Sequence, residues 1–152
     1  MAETLGSLCD KLTIVKLKQW HTENPAARES LANQENQLCE EIDLFVRDAV
    51  TGQIPHEKLS FAANKVYRRE GNVIQDVSGE IGKIVAQLAD VNCRLWHEQE
   101  LVYEFEKVPA DKKDSVIKKL ALLNLERTSC IDHLDALFKN MILSSSPGRI
   151  TP

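Results

Sequence analysis

Glycine and proline are scarce, at 6 and 5 residues in a chain of 152. A β-rich fold needs many turns, so this scarcity argues against one. Long apolar runs are absent too. No stretch approaches the roughly 18 consecutive apolar residues of a transmembrane helix, and the opening MAETLGSLCDKLTIVKLKQWH threads acids and lysines through its apolar residues, unlike a signal-peptide core. The chain is therefore expected to be cytoplasmic and to have no membrane partner. There is no excess of positive charge: the formal net charge is −4 with both signs interspersed, which leaves no electrostatic footprint for nucleic acid. Cysteine pairs are missing as well. Cys9, Cys39, Cys93 and Cys130 fall one per long predicted helix, without the short spacings of zinc ligands. They are expected to be reduced and buried as small hydrophobes, with no metal and no cofactor bound.

What is present is helical periodicity. A hydrophobic share of 43% is enough to build a core, and at this length one domain is expected, over residues 1–143, with a flexible tail over 144–152 (the turn-forming SSSPGRITP begins at Ser144). The first helix is predicted from about Glu3 to Glu23 on Leu5, Leu8, Leu12 and Val15, widened by Ile14, Leu17 and Trp20. Asn24-Pro25 reads as a cap followed by a proline at the first helical position, opening a second helix that runs to about Thr51, where Gly52 and Pro55 end it. A brief helix is expected around Glu57–Glu70, and a long one from Asn72 to Lys107 on Ile74, Val77, Ile81, Ile84, Leu88, Val91, Leu95 and Val102. Gly79 and Gly82 lie inside that span, each costing about 1 kcal/mol there. They either admit a close neighbour or mark a kink. After Val108-Pro109 the last helix is predicted from Ala110 to Leu143 on Ile117, Leu120, Leu123 or Asn124, Arg127, Ile131, Leu134, Phe138 and Met141. Short connections make neighbours antiparallel. The expected fold is all-α: an antiparallel bundle of four long helices plus one short one, with a long C-terminal helical hairpin.

Polar residues sit in these stripes. Offsets of 3 and 4 place Asn124, Arg127, Ile131 and Asp135 on one face of the last helix. A buried guanidinium requires a carboxylate or water, and Glu98, Asp90 and Asp10 are the candidate partners of Arg127. On the preceding helix Asn92, Trp96 and Gln99 share a face, flanked by His97 and Glu98. In the first helix Asp10, Ile14, Leu17 and His21 share one, while Lys11 and Lys16 read as solvated. Lys65, Arg68 and Arg69 form a small basic knot that a solvated loop explains. Trp20-His21 and Trp96-His97 hint at a duplicated hairpin, though their flanks align poorly. Such a polar cluster either fixes the register of a bundle, as a seam Asn does in coiled coils, or lines an inter-helix pocket.

Sharper chemistries fail on spacing. A carboxylate-bridged di-iron bundle needs Glu-x-x-His pairs, and no histidine here has Glu three positions before it. Cys130-x-x-His133 lacks a second pair. Glu40-x-x-Asp43 lacks the companion motif with which helical nucleoside-triphosphate pyrophosphatases hold magnesium. No Walker loop, nucleophile elbow or dinucleotide fingerprint occurs.

The pieces Asn92-Cys-Arg-Leu95-Trp96-His97-Glu98, Leu123-Asn124-Leu-Glu-Arg127 and Ile131 to Asp135, with the opening Glu3-Thr-Leu-Gly-Ser-Leu-Cys-Asp10-Lys11-Leu, resemble an uncharacterised bacterial family known only as a domain of unknown function. Members often carry an acid pair after the histidine and Asn after the arginine, where this chain has Glu98-Gln99 and Thr128. The resemblance implies a bacterial source and singles out Asn92, Trp96, His97, Asn124 and Arg127, but it names no reaction. More faintly, Arg127 with Ile131-Asp132 is similar to the first helix of all-helical chorismate mutases, which hold a dicarboxylate with arginines and lysines. Two functions follow. The first is a non-enzymatic binding or interaction module that docks a protein partner or self-associates. The alternative is an enzyme or a binder of a small anionic ligand, with a pocket on Asn92, His97, Glu98, Asn124 and Arg127, His97 moving the proton and Arg127 clamping the anion.

Overall fold

The computed structural model describes residues 2–61 and 72–145. Among them the chain is all-α and contains no strand. Helix α1 (Leu5–His21) starts at Thr4, whose hydroxyl accepts the Ser7 N–H while the Ser7 hydroxyl accepts the Thr4 N–H. That reciprocal capping box satisfies two of the orphan donors of the first turn. Asn24 caps α2 (Pro25–Val50) by accepting the N–H groups of Ala26 and Ala27, with Pro25 in the first turn as expected. Gly52, at φ 77°, turns the chain out of α2 through the left-handed region that glycine tolerates.

The middle of the chain departs from expectation. Only a 3₁₀ turn, His56–Lys58, occupies the described start of the expected short helix; residues 62–71, and with them Lys65, Arg68 and Arg69, lie outside the described residues. The next helix, α3 (Ile81–Tyr103), begins nine residues later than Asn72. Gly79 explains the difference, since its φ of 102° is incompatible with a right-handed helix and breaks the apolar run that carried the longer reading. Gly82 admits no neighbour: a Cβ there would meet nothing within 4 Å. Short 3₁₀ turns, Phe105–Lys107 and Ala110–Lys112, flank Val108-Pro109 and lead into α4 (Lys113–Ser145). At 33 residues α4 is about 50 Å long. It includes Ser144 and Ser145 of the expected tail, and 146–152 lie outside the described residues.

Helix α1 packs against α2, α3 and α4, and α3 packs along α4. The main apolar core lies toward the start of α1. Leu5, Ala49, Leu59, Ile84, Leu88, Cys130, Leu134, Phe138 and Ile142 are buried together there, with Phe45 tilted against Phe138 at 6.2 Å between ring centres. The expected stripe on α4 holds at Leu123, Leu134 and Phe138, which are buried, and departs by one residue at its two ends. Ile117 and Met141 are exposed at 53% and 58%, whereas Val116 and Ile142 are buried. A helix with leucines at 120, 122, 123 and 125 offers two neighbouring lines of similar apolarity, and periodicity alone does not choose between them.

Candidate functional site

Away from the core the helices are joined by charged and polar pairs. Asp10 is nearly fully buried. Its carboxylate takes both arms of the Arg127 fork, with Nε to Oδ1 at 2.8 Å and Nη2 to Oδ2. The Asn92 amide donates to the same Asp10 Oδ1 at 2.9 Å and to the Thr13 hydroxyl at 2.7 Å. Three helices thus meet at one carboxylate: α1 gives Asp10, α3 gives Asn92 and α4 gives Arg127. Of the three partners considered for Arg127, the structure selects Asp10. The reason is geometric, because Glu98 is engaged with Lys119 and Asp90 with Arg94. A bidentate carboxylate–guanidinium pair is strong and fixes orientation.

Asp135 serves the start of α1. Its Oδ1 accepts the Gly6 N–H at 2.7 Å, and the Thr4 hydroxyl also bonds to the carboxyl group. Helix α1 has no acidic residue in its own first turn, so a residue of α4 supplies the negative group that a helix N-terminus favours. The approach is close enough to require glycine. A Cβ at position 6 would stand 2.7 Å from the Ile131 carbonyl oxygen and 2.9 Å from Asp135 Oδ1. Burial pushes the Asp135 carboxyl up to about 6, with the charge of Asp132 adding to it and the Thr4 and Gly6 hydrogen bonds opposing it.

Other expected site residues go elsewhere. Asn124 is exposed, and its amide turns back to the Leu120 carbonyl. His97 lies on the outer surface of α3, with Nδ1 3.6 Å from Glu100. Trp96 stacks on His21 at 4.6 Å between ring centres and 9° between planes, and its Nε1 donates to Glu100. The two Trp-His pairs therefore meet crosswise rather than repeating a contact: one contributes its tryptophan and the other its histidine. Glu98 is buried against Lys119. Asn92, His97, Glu98, Asn124 and Arg127 do not line a common pocket.

Two buried polar residues on α4, Glu126 and Ser129, have no counterpart in the sequence reading, and Glu126 is the charged one. It is engaged by Arg94 Nη2 at 3.0 Å and Gln87 Nε2 at 3.1 Å. With Leu123 rather than Asn124 facing inward, Glu126 is the charged residue of the α3–α4 seam, and its i−32 spacing to Arg94 is a signal that only the pairing register of the two helices reveals. Cys130 is buried as expected, and its thiol is pushed up to about 11 mainly by burial, with Glu126 adding to the shift. Cys9 is half-buried, and its thiol is also raised by burial. Cys39 and Cys93, expected inside, are exposed because they fall on the outer faces of α2 and α3. Among the described residues no group of three His, Cys, Asp or Glu side chains is placed to share a metal ion, and no buried side-chain nitrogen or oxygen lacks a hydrogen-bond partner.

The Asp10–Arg127 pair and Asp135 form part of the wall of a cleft of about 690 Å³ between the start of α1 and the outer face of α4. Thr4, Ser7, Lys11, Asn124, Thr128 and Ile131 complete much of it, with Phe61 at its edge. Four of the residues singled out in sequence (Asp10, Asn124, Arg127 and Asp135) converge on this cleft. The chain matches no protein-family model, no curated protein and no solved structure. Among the described residues no helix is long and apolar enough to cross a membrane.

Proposed function

We propose that this chain is a non-enzymatic binding module whose ligand site is the cleft between the start of α1 and α4. One observation carries the reading: Asp10, Asn124, Arg127 and Asp135 line one cleft of about 690 Å³ while each is already hydrogen-bonded inside the protein. The size suits a small molecule. Catalysis finds less support. His97, the proton-transfer candidate, faces solvent on another helix, and Arg127 spends its fork on Asp10. The polar waist is better read as the device that fixes how α1, α3 and α4 pair.

The same contacts support an antiparallel arrangement. From residue 6 to residue 10 on α1 the partners on α4 descend from 135 to 127, and from 94 to 98 on α3 they descend from 126 to 119. Membership of the uncharacterised bacterial family is proposed on the residues quoted for it. Asn92 and Arg127, two of those residues, share the Asp10 carboxylate, which suits a pairing motif.

A thermal-shift screen of metabolites, nucleotides and sugar phosphates tests the reading, run on the protein and on Thr128→Trp. This substitution fills the cleft and leaves the Asp10 network untouched. The expected result is a compound whose shift disappears in Thr128→Trp while the helical circular dichroism is kept. Shifts that survive in Thr128→Trp would place binding elsewhere. A second reading, a protein or homo-oligomer partner, draws on Leu101, Tyr103 and Ile117, all exposed near the α3–α4 turn. A mass in solution that remains monomeric over a wide concentration range counts against self-association.

A further inference from the structure

The charges in the cleft wall name a ligand class. This step rests on the cleft's being the binding site. From α1 and the residues before it come Glu3, Asp10 and Lys11; from α4 come Arg127 and Asp135. Both cations are committed. Lys11 is paired with Glu3, and Arg127 holds Asp10 through two bonds. Asp135 has only neutral donors, the Gly6 N–H and the Thr4 hydroxyl, and among the described residues no cation is paired with it. An anion entering here would find each described cation already paired and, beside them, a carboxylate that has only neutral partners among the described residues. A cation would find the opposite: a carboxylate with no cationic partner among the described residues, in a cleft that Phe61 and Ile131 also line. Ammonium groups are held by carboxylates and by aromatic faces.

We infer that the cleft takes an organic amine in its protonated form, with the ammonium at Asp135 and an apolar body against Phe61 and Ile131. This replaces the anionic ligand expected from sequence. That expectation needed a free Arg127, and its guanidinium is the counter-ion of Asp10.

The test uses three probes of one shape and different charge: benzylamine, benzyl alcohol and benzoate. Each is titrated into the ¹⁵N-labelled full chain at pH 7.5, following the amide shifts of Thr128 and Ile131. Benzylamine is expected to bind at least tenfold tighter than the other two. Asp135→Asn removes that advantage and leaves benzyl alcohol unchanged. If Asp135→Asn does not fold, two measurements still decide. Phe61→Ala, at an exposed position, weakens benzylamine several-fold. In the unsubstituted protein, benzylamine binding weakens as the pH falls from 7.5 to 5 and Asp135 takes up its proton. Benzoate or benzyl alcohol binding as well as benzylamine, at these same amides, overturns the amine inference and leaves the cleft as a binding site. No shift at these amides from any of the three overturns the inference and the binding reading together.

Discussion

The two ends of this bundle are held by different physics. Toward the start of α1, the helices meet through Ile84, Leu88, Cys130 and Leu134, with Leu59 of the segment after α2 packed among them, all at 1% exposure or less. Burial of that kind is non-directional, and it would tolerate helices sliding or rotating by a few degrees. From the Asp10 level toward the α3–α4 turn, apolar burial is thinner, and the helices meet through Asp10–Arg127–Asn92, Glu126–Arg94–Gln87 and Glu98–Lys119. These contacts are directional: each accepts one register. The difference teaches a division of labour in which the apolar end supplies affinity between helices and the polar stretch selects how they pair. It also explains why the cleft lies where it does. Its wall is where α1 crosses from one regime to the other.

The comparison breaks or holds first on stability. Leu134→Ala should cost about 4 kcal/mol in urea unfolding, the usual result for a fully buried leucine. Asp10→Ala should cost about 3 kcal/mol, because it strips the acceptor from a half-buried guanidinium and from the Asn92 amide. Arg127 is about one-third exposed, so water recovers part of its loss and the figure stays at the low end. The decisive measurement is the double-mutant cycle of Asp10→Ala with Arg127→Ala. A coupling of about 1–3 kcal/mol is expected of a directional pair, whereas Leu134→Ala with Asp10→Ala should be near additive. If Asp10→Ala costs less than about 1 kcal/mol, the polar stretch does not select pairing and the contrast between the two ends dissolves.

Much of the apolar core was legible in sequence, and so were the members of the polar stretch, Asp10, Asn92, Glu98, Arg127 and Asp135, though not their pairing. Leu5, Leu8 and Val15 are buried as their spacing implies, and Asn24-Pro25 opens α2 as its chemistry requires. Arg127 and Asp135 were visible because a charged residue in an apolar stripe violates the pattern. Three things were hidden. Gly79 could have been a packing glycine or a kink, and only its positive φ makes it the end of the irregular segment before α3. Between Leu123 and Asn124 the leucines on both neighbouring lines leave the period undecided; Leu123 is the buried one, and Glu126, three positions on, enters the seam with it. The choice of Asp10 over Glu98 and Asp90 depends on three helices at once, and no local period encodes it.

A smaller effect sharpens the contrast at the boundary, where Asp135 joins α4 to the start of α1. Its folded carboxyl, at about 6, lies above its ordinary value of 3.8. The folded chain therefore holds this proton more tightly than the unfolded chain does. The stabilisation is fully present below about pH 4 and is lost as the pH rises through about 6. Glu3 and Glu35, lowered by hydrogen bonds to Lys11 and Lys16, run the other way, so the quantity to measure is a difference. The stability of the unsubstituted protein minus that of Asp135→Asn should fall by about 2 kcal/mol between pH 4 and pH 7. Chemical denaturation of both proteins across that range gives the number. A flat difference would mean that burial does not hold the folded carboxyl above its ordinary value.

The smallest effect concerns the two tryptophans, which share a dipeptide and have different fates. Trp20 is 85% exposed, whereas Trp96 stacks on His21 and donates its indole N–H to Glu100. Were the two Trp-His pairs copies of one contact, truncating either tryptophan would cost the same. The crosswise stack argues for a large asymmetry. Trp96→Ala should lose about 1–2 kcal/mol, less than the 3–5 of a fully buried tryptophan because the ring is only partly covered. Trp20→Ala should stay within about 0.5 kcal/mol. His21→Ala separates the stack from simple burial of the indole. If the stack carries the energy, His21→Ala approaches the cost of Trp96→Ala, and the two substitutions together cost little more than the larger one alone. If the costs of Trp96→Ala and His21→Ala add, the indole is stabilised by coverage from α3 alone, and this end of the bundle, like the other, is held by burial.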